Sequence, residues 1–139
     1  MPVPQILADP AVFDVLEQAS AIYRATVEDE DHVALPASSL STLTLTLYVV
    51  KADGTIAYVN SRNAQNVLNA NGVTVYNALQ TRSDGTTYNL LWAIAAADTT
   101  LVEALAFERH IALFEWTWPT GKAGKHEVVL RVRGLTEVP

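Results

Sequence analysis

The chain has 139 residues, a formal net charge of −6, half of its residues apolar and no cysteine. That length fits one domain able to bury a core of its own. The missing cysteines exclude disulfide staples, thiolate metal sites and cysteine nucleophiles, and the acidic balance argues against a general nucleic-acid binder, which needs clustered Lys and Arg to displace counterions.

The opening segment, Met1 to Pro10, holds Pro2, Pro4 and Pro10, which keep a chain extended. It lacks a basic stretch followed by a long apolar centre, so no secretion signal is expected. No apolar run reaches the roughly 20 residues that cross a bilayer, so no membrane partner is expected. Asp9-Pro10 reads as an N-cap with proline at the first helical position, leading into a two-turn helix with Val12, Phe13 and Leu16 on one face. So short a helix is unstable alone and must dock, on its own domain or on a neighbour. Residues 1–19 are therefore expected to form an extended and short-helical arm, and 20–139 the domain proper.

From Ala21 the pattern turns to strands: Ala21–Glu28, then Ser41–Val50 with Leu43, Leu45 and Leu47 inward and Thr42, Thr44 and Thr46 outward. Asp53-Gly54 supplies a tight turn into Thr55–Asn60. The amide-rich run Asn60–Gly72 reads as an ordered loop or short helical turn, because such side chains compete with regular backbone pairing. Val73–Leu79 and Thr86–Ile94 follow as strands joined through Ser83-Asp84-Gly85, and Asp98–Leu105 crosses into a final hairpin.

Two period-two segments, Phe107–Trp118 and Lys125–Arg133, form that hairpin around a Pro-Thr-Gly-Lys-Ala-Gly connection. Matching large residues across it pairs Trp116 with Val128, Phe114 with Leu130 and Ala112 with Val132. The reverse face then presents Ile111, Leu113 and Val129 among Glu115, Glu127, Arg131 and Arg133. Three aliphatics on one sheet face mark an interaction surface, covered by the N-terminal segment or by another protein. About seven strands with little helix predict an all-β, antiparallel, immunoglobulin-like β-sandwich. Trp92 and Trp116 are expected to fill the centre that a disulfide occupies in antibody domains.

No catalytic set emerges. His110 and His126 fall on neighbouring strands but far apart along the hairpin, and no paired-histidine zinc spacing exists. Glu108 and Glu115 fall on opposite faces of one strand, which defeats a glycosidase pair. The acidic run Glu28–Asp31 lacks further oxygen ligands for calcium. No nucleophile elbow, phosphate loop or dinucleotide fingerprint occurs, so no enzyme, cofactor or metal is expected. Tyr58, Tyr76, Tyr88, Trp92, Trp116 and Trp118 would suit a carbohydrate-binding platform only if they faced solvent; aromatics in strands serve more often as core or interface anchors.

The run Phe107-Glu108-Arg109-His110-Ile111-Ala112-Leu113-Phe114-Glu115-Trp116-Thr117-Trp118, followed by Gly124-Lys125-His126-Glu127-Val128, is similar to segments of small virion proteins of tailed bacteriophages and prophages. So is Ser61-Arg62-Asn63-Ala64-Gln65-Asn66-Val67-Leu68-Asn69. The resemblance extends from about Tyr23 to Leu135. It implies a non-enzymatic structural component with an immunoglobulin-like sandwich, located in a virion assembled in the bacterial cytoplasm. Of the roles such modules fill, capsid decoration or cement suits the acidic domain with its arm; a neck adaptor or a tail or baseplate part is the alternative. The implied partners are the major capsid protein or another virion protein, with copies forming a homo-oligomer in the particle, and no nucleic acid. The residues expected at that interface are Ile6, Leu7, Phe13 and Leu16 of the arm and Ile111, Leu113 and Val129 of the sheet face.

Overall fold

A computed structural model describes residues 11–28, 33, 40–69, 74–85, 87–103, 106–118 and 122–134. Among them run nine strands: β1 (Ala11–Leu16), β2 (Ala21–Ala25), β3 (Thr42–Val50), β4 (Ile56–Tyr58), β5 (Gln65–Asn66), β6 (Thr74–Thr81), β7 (Thr87–Ile94), β8 (Phe107–Trp118) and β9 (Lys122–Arg133). A 3₁₀ turn at Ala96–Thr99 precedes β8.

Period-two patterning builds the core. On β3, Leu43, Leu45, Leu47 and Val49 are buried; on β8 Ala112, Phe114 and Trp116; on β9 Val128, Leu130 and Val132. The facing sheet contributes Tyr23 and Ala25 from β2 and Leu90, Trp92 and Ile94 from β7, and all of these residues form one cluster. Each fully buried aliphatic of this kind contributes about 1.5–3 kcal/mol relative to exposure. Trp92 meets Phe114 edge to face at 5.3 Å, so the two sheets lock through aromatic contact at the position expected for Trp92.

The larger sheet runs β1-β9-β8-β3-β4, with β5 also paired to β3; the smaller runs β2-β7-β6. All pairings are antiparallel except β1 with β9. Two facing sheets in this arrangement make an immunoglobulin-like sandwich. Asn89 extends the β2–β7 ladder with its side chain, accepting from the Val27 amide at 2.7 Å and donating to the Val27 carbonyl at 3.0 Å. The tight turns lie where Asp53-Gly54 and Asp84-Gly85 place them, with φ +87° at Gly54 and +88° at Gly85.

Two expectations are corrected. Residues 11–16 are not helical: they form an extended strand registered on β9, Val12 beside Val129 and Leu16 beside Arg133. Six residues hold too few internal hydrogen bonds to sustain a helix, whereas an exposed sheet edge satisfies their backbone at once. The segment is thus part of the sandwich, and the turn after it is pinned by Thr99, whose hydroxyl donates to the Ala19 carbonyl and accepts from the Ala19 amide. The final hairpin is shifted by four residues from the expected register: Trp116 pairs with Gly124, Phe114 with His126 and Ala112 with Val128. An even shift leaves the two faces unchanged. Residues 1–10, and with them Ile6 and Leu7, lie outside the described residues, as does the side chain of Phe13.

Candidate functional site

The chemically richest cluster sits at the corner between β7 and β8. Arg62, from the amide-rich loop, grips Asp98 through two bonds, Nε to Oδ1 at 2.6 Å and Nη2 to Oδ2 at 3.1 Å. Both side chains are buried. Asn60 donates to the same carboxylate at 2.9 Å, and the Ala95 amide at 2.8 Å. Arg62 also reaches Gln65 at 2.7 Å. Left-handed backbone at Asn60, Ser61 and Ala64 coils the loop so that Arg62 points inward; Asn is among the non-glycine residues that tolerate this region best.

His110 continues the chain of contacts. Its Nδ1 donates to the Asp98 carbonyl at 2.9 Å, and its Nε2 shares a hydrogen bond of 2.9 Å with Glu108 Oε1. Burial works against ionised Glu108, but the Val102 amide, the His110 ring and the Glu103 amide hold its pKa below the ordinary carboxylate value. The amides sit at 2.8 Å and 2.6 Å. A side chain two residues ahead of the central β8 position, bonding back to the upstream corner, is the role the tyrosine corner plays in immunoglobulin sandwiches. His110 fills it here. The cluster ties three stretches of backbone together, at Ala95, Asp98 and Val102–Glu103.

His126 is buried against the opposite sheet. Its Nε2 lies 2.5 Å from the Tyr23 hydroxyl, with the rings stacked at 5.9 Å. Burial pushes His126 down to about 4 and raises Tyr23 above its usual value, so a neutral ring accepts from a protonated phenol. His110 and His126 stand four residues apart along the hairpin, about 13 Å at the rise of a strand. Among the described residues no three His, Asp or Glu side chains converge to hold a metal ion.

The stacking platform for sugars does not form from the tryptophans: Trp92, Trp116 and Trp118 are 0%, 1% and 8% exposed. Tyr58 is half exposed, and Tyr88 lies beneath the Arg24 guanidinium at 5.5 Å.

What faces solvent is the outer side of the larger sheet. A cross-strand row, Val12–Val129–Ile111–Tyr48–Tyr58, runs in register through β1, β9, β8, β3 and β4. Val129 is only 4% exposed, because Val12 and Ile111 flank it; Ile111 and Leu113 are half-buried. Of the three sheet residues expected to be exposed, Val129 is thus enclosed by its neighbours. The solvent-facing apolar surface lies around them instead. Of the nine large hydrophobics exposed among the described residues, six lie on this side: Val12, Leu16, Val50, Ile56, Tyr58 and Phe107. Leu16 is thereby placed on the same face as Ile111 and Leu113. Phe107 and the β4 residues stand at the rim of the sheet, where alternation alone does not tell an exposed apolar side chain from a buried one.

Two cavities flank Phe107. One of about 330 Å³ is lined by Asp14, Val15, Leu16, Phe107, Arg131 and Arg133. The other, about 240 Å³, is lined by Val49, Val50, Glu103, Phe107, Glu108, Arg109 and Ile111. Phe107 stands between them with 58% of its surface exposed.

No family model matches the chain, and no curated protein matches it. Solved structures similar in fold include extracellular cadherin domains 1–4 of protocadherin gamma B7, at 15% identity and a TM-score of 0.40 over 94% of this chain and 25% of that one. Domains 1–3 of mouse clustered protocadherin gamma C3 give 12% identity and a TM-score of 0.41 over 94% of this chain and 33% of that one. Murine CRIg gives 9% identity and a TM-score of 0.37, covering 90% of this chain and 92% of that one. The chain thus spans a quarter and a third of the two protocadherin chains it resembles. Likeness at these levels carries nothing about activity or partner.

Proposed function

We propose that this chain is a non-enzymatic structural module that docks on another protein through the outer side of its larger sheet, as a capsid decoration or cement protein of a tailed-bacteriophage virion. The observation that supports docking is the concentration of exposed apolar side chains on that one side, six of nine among the described residues. A sandwich needs its inner faces apolar, not its outer ones, and contiguous exposed apolar surface marks an interaction site. The virion assignment rests on the similarity of the 61–69 and 107–128 segments to phage virion proteins. Covering a few hundred Å² of this face would contribute several kcal/mol per copy at about 25 cal/mol per Å², before ordering costs. Repetition over a symmetric shell multiplies that contribution.

The test is quantitative mass spectrometry of purified particles of the phage that encodes the chain, with the purified protein re-added to particles stripped of it. Hundreds of copies per particle, with rebinding lost in an Ile56→Lys/Phe107→Asp variant that keeps its fold, fit the shell role. About a dozen copies would place the chain in a single-vertex ring instead. Absence from the particle would refute the proposal.

A further inference from the structure

Charge is unevenly placed on the outer face. Only nine Lys and Arg occur in the chain against fifteen Asp and Glu, yet Arg109, Arg131 and Arg133 share one end of this face and are all exposed. The register sets Arg109 directly across from Arg131, and Phe107 directly across from Arg133. Like charges placed opposite one another in a sheet are destabilising. Arg131 is relieved by Asp14, whose Oδ1 lies 3.3 Å from its Nε. Among the described residues Arg109 and Arg133 have no carboxylate partner. The unrelieved guanidiniums lie one in each of the two cavities beside Phe107, Arg133 in the larger and Arg109 in the smaller. Each cavity joins apolar side chains to a cation and to carboxylates with contacts of their own: Asp14 with Arg131 in the larger, Glu108 with His110 and two backbone amides and Glu103 with the Ala52 amide in the smaller.

We propose that this end of the face, Phe107 with Arg109, Arg131 and Arg133, receives a segment of another protein that carries carboxylates next to large apolar side chains. The inference deepens the docking reading above and rests on it. Apolar side chains of the incoming segment fill the cavities on either side of Phe107, and its carboxylates meet Arg109 and Arg133, which have no carboxylate partner among the described residues, by charge-assisted and bidentate bonds. A second copy of this chain is a poor occupant: a two-fold axis at this end would set arginine against arginine, which costs several kcal/mol. A polyanion such as nucleic acid would be drawn to the arginines but repelled by the rest of a chain of net charge −6, and it would leave the apolar walls unused.

Two arms test the idea. In the first, a short synthetic peptide alternating leucine and glutamate is titrated into the labelled protein, beside leucine–glutamine and leucine–lysine peptides of equal length and a thymidine oligonucleotide. The expected result is saturable binding of the glutamate peptide alone, with amide shifts centred on Phe107, Arg109, Arg131 and Arg133. Arg109→Glu and Phe107→Ala should each weaken it roughly tenfold, while Lys125→Gln, on the same face at the far end of the hairpin, changes it less than about twofold. Equal binding of the glutamine peptide, preference for the oligonucleotide, or shifts elsewhere would overturn the proposal. In the second, wild type and Arg109→Glu are added to particles. If wild type does not associate, the docking reading itself fails; if both associate equally, docking stands and this inference alone falls.

Discussion

Trp116 lies directly across the final hairpin from Gly124, and its indole covers the glycine: a Cβ built there would stand 2.6 Å from the indole Cε2 and Cζ2. The ring uses the space that a side chain would otherwise occupy. Gly124→Ala should therefore destabilise the domain by about 1–3 kcal/mol through overpacking, read as a lowered urea midpoint. Trp116→Leu empties the same space, so the double variant should be less destabilised than the two single effects sum to. Strict additivity would show that the ring has room to move aside.

The same pair explains why the hairpin's faces were legible and its register was not. Period-two alternation of Phe114, Trp116 and Trp118 fixes which residues point inward, and it places Leu43, Leu45 and Leu47 correctly as well. Register depends on which residue faces which, and matching large to large misses an aromatic laid over a glycine. The strand at Ala11–Leu16 was hidden for a related reason: its pairing with β9 joins residues more than a hundred positions apart, and non-local pairing overrides a weak local helix signal. The Arg62–Asp98 grip is equally non-local. Its one trace in the sequence is a lone acid closing the apolar run Leu90–Ala97.

Arg62 and Asp98 are both nearly inaccessible to water, 4% and 0% exposed. Removing one partner strands the other as a buried charge, which costs about 3–5 kcal/mol. Asp98→Ala should fall in that range and also loosen the corner, since the Asn60 side chain, the Ala95 amide and Arg62 all lose their acceptor. An Arg62→Met/Asp98→Leu pair should recover a sizeable part of the loss, because neither charge then needs desolvating. Chemical denaturation of the four proteins of this cycle decides it; a double variant as unstable as the sum of the singles would contradict the pairing.

All three tryptophans being buried predicts blue-shifted emission that acrylamide quenches weakly and that polysaccharides leave unchanged. Saturable quenching by a glycan would instead restore the carbohydrate-binding alternative. Trp118, the most accessible at 8%, is the residue whose substitution to Phe should alter quenching most.

Acid should weaken the fold in two separable steps. His126 is held down to about 4 by burial, whereas an unfolded histidine titrates near 6.5. Between those values the unfolded chain takes up a proton that the folded chain refuses. Stability is therefore full above about pH 6.5 and declines as pH falls towards 4, by on the order of 3 kcal/mol. Protonation would also convert the acceptor of the Tyr23 hydroxyl into a donor. Glu108 behaves in the opposite chemical sense with the same outcome: its folded pKa lies below the ordinary 4.5. Its contribution is present above that value and is lost as pH drops further through the folded value. His126→Gln, which keeps an acceptor for Tyr23, should flatten the upper limb of a stability–pH curve and leave the lower one. Glu108→Gln should do the reverse, with a fixed loss at neutral pH because the His110 ring and two backbone amides lose their charged acceptor. Urea midpoints measured from pH 7 to pH 3 check both limbs, and an upper limb that persists in His126→Gln would assign the acid sensitivity to another group.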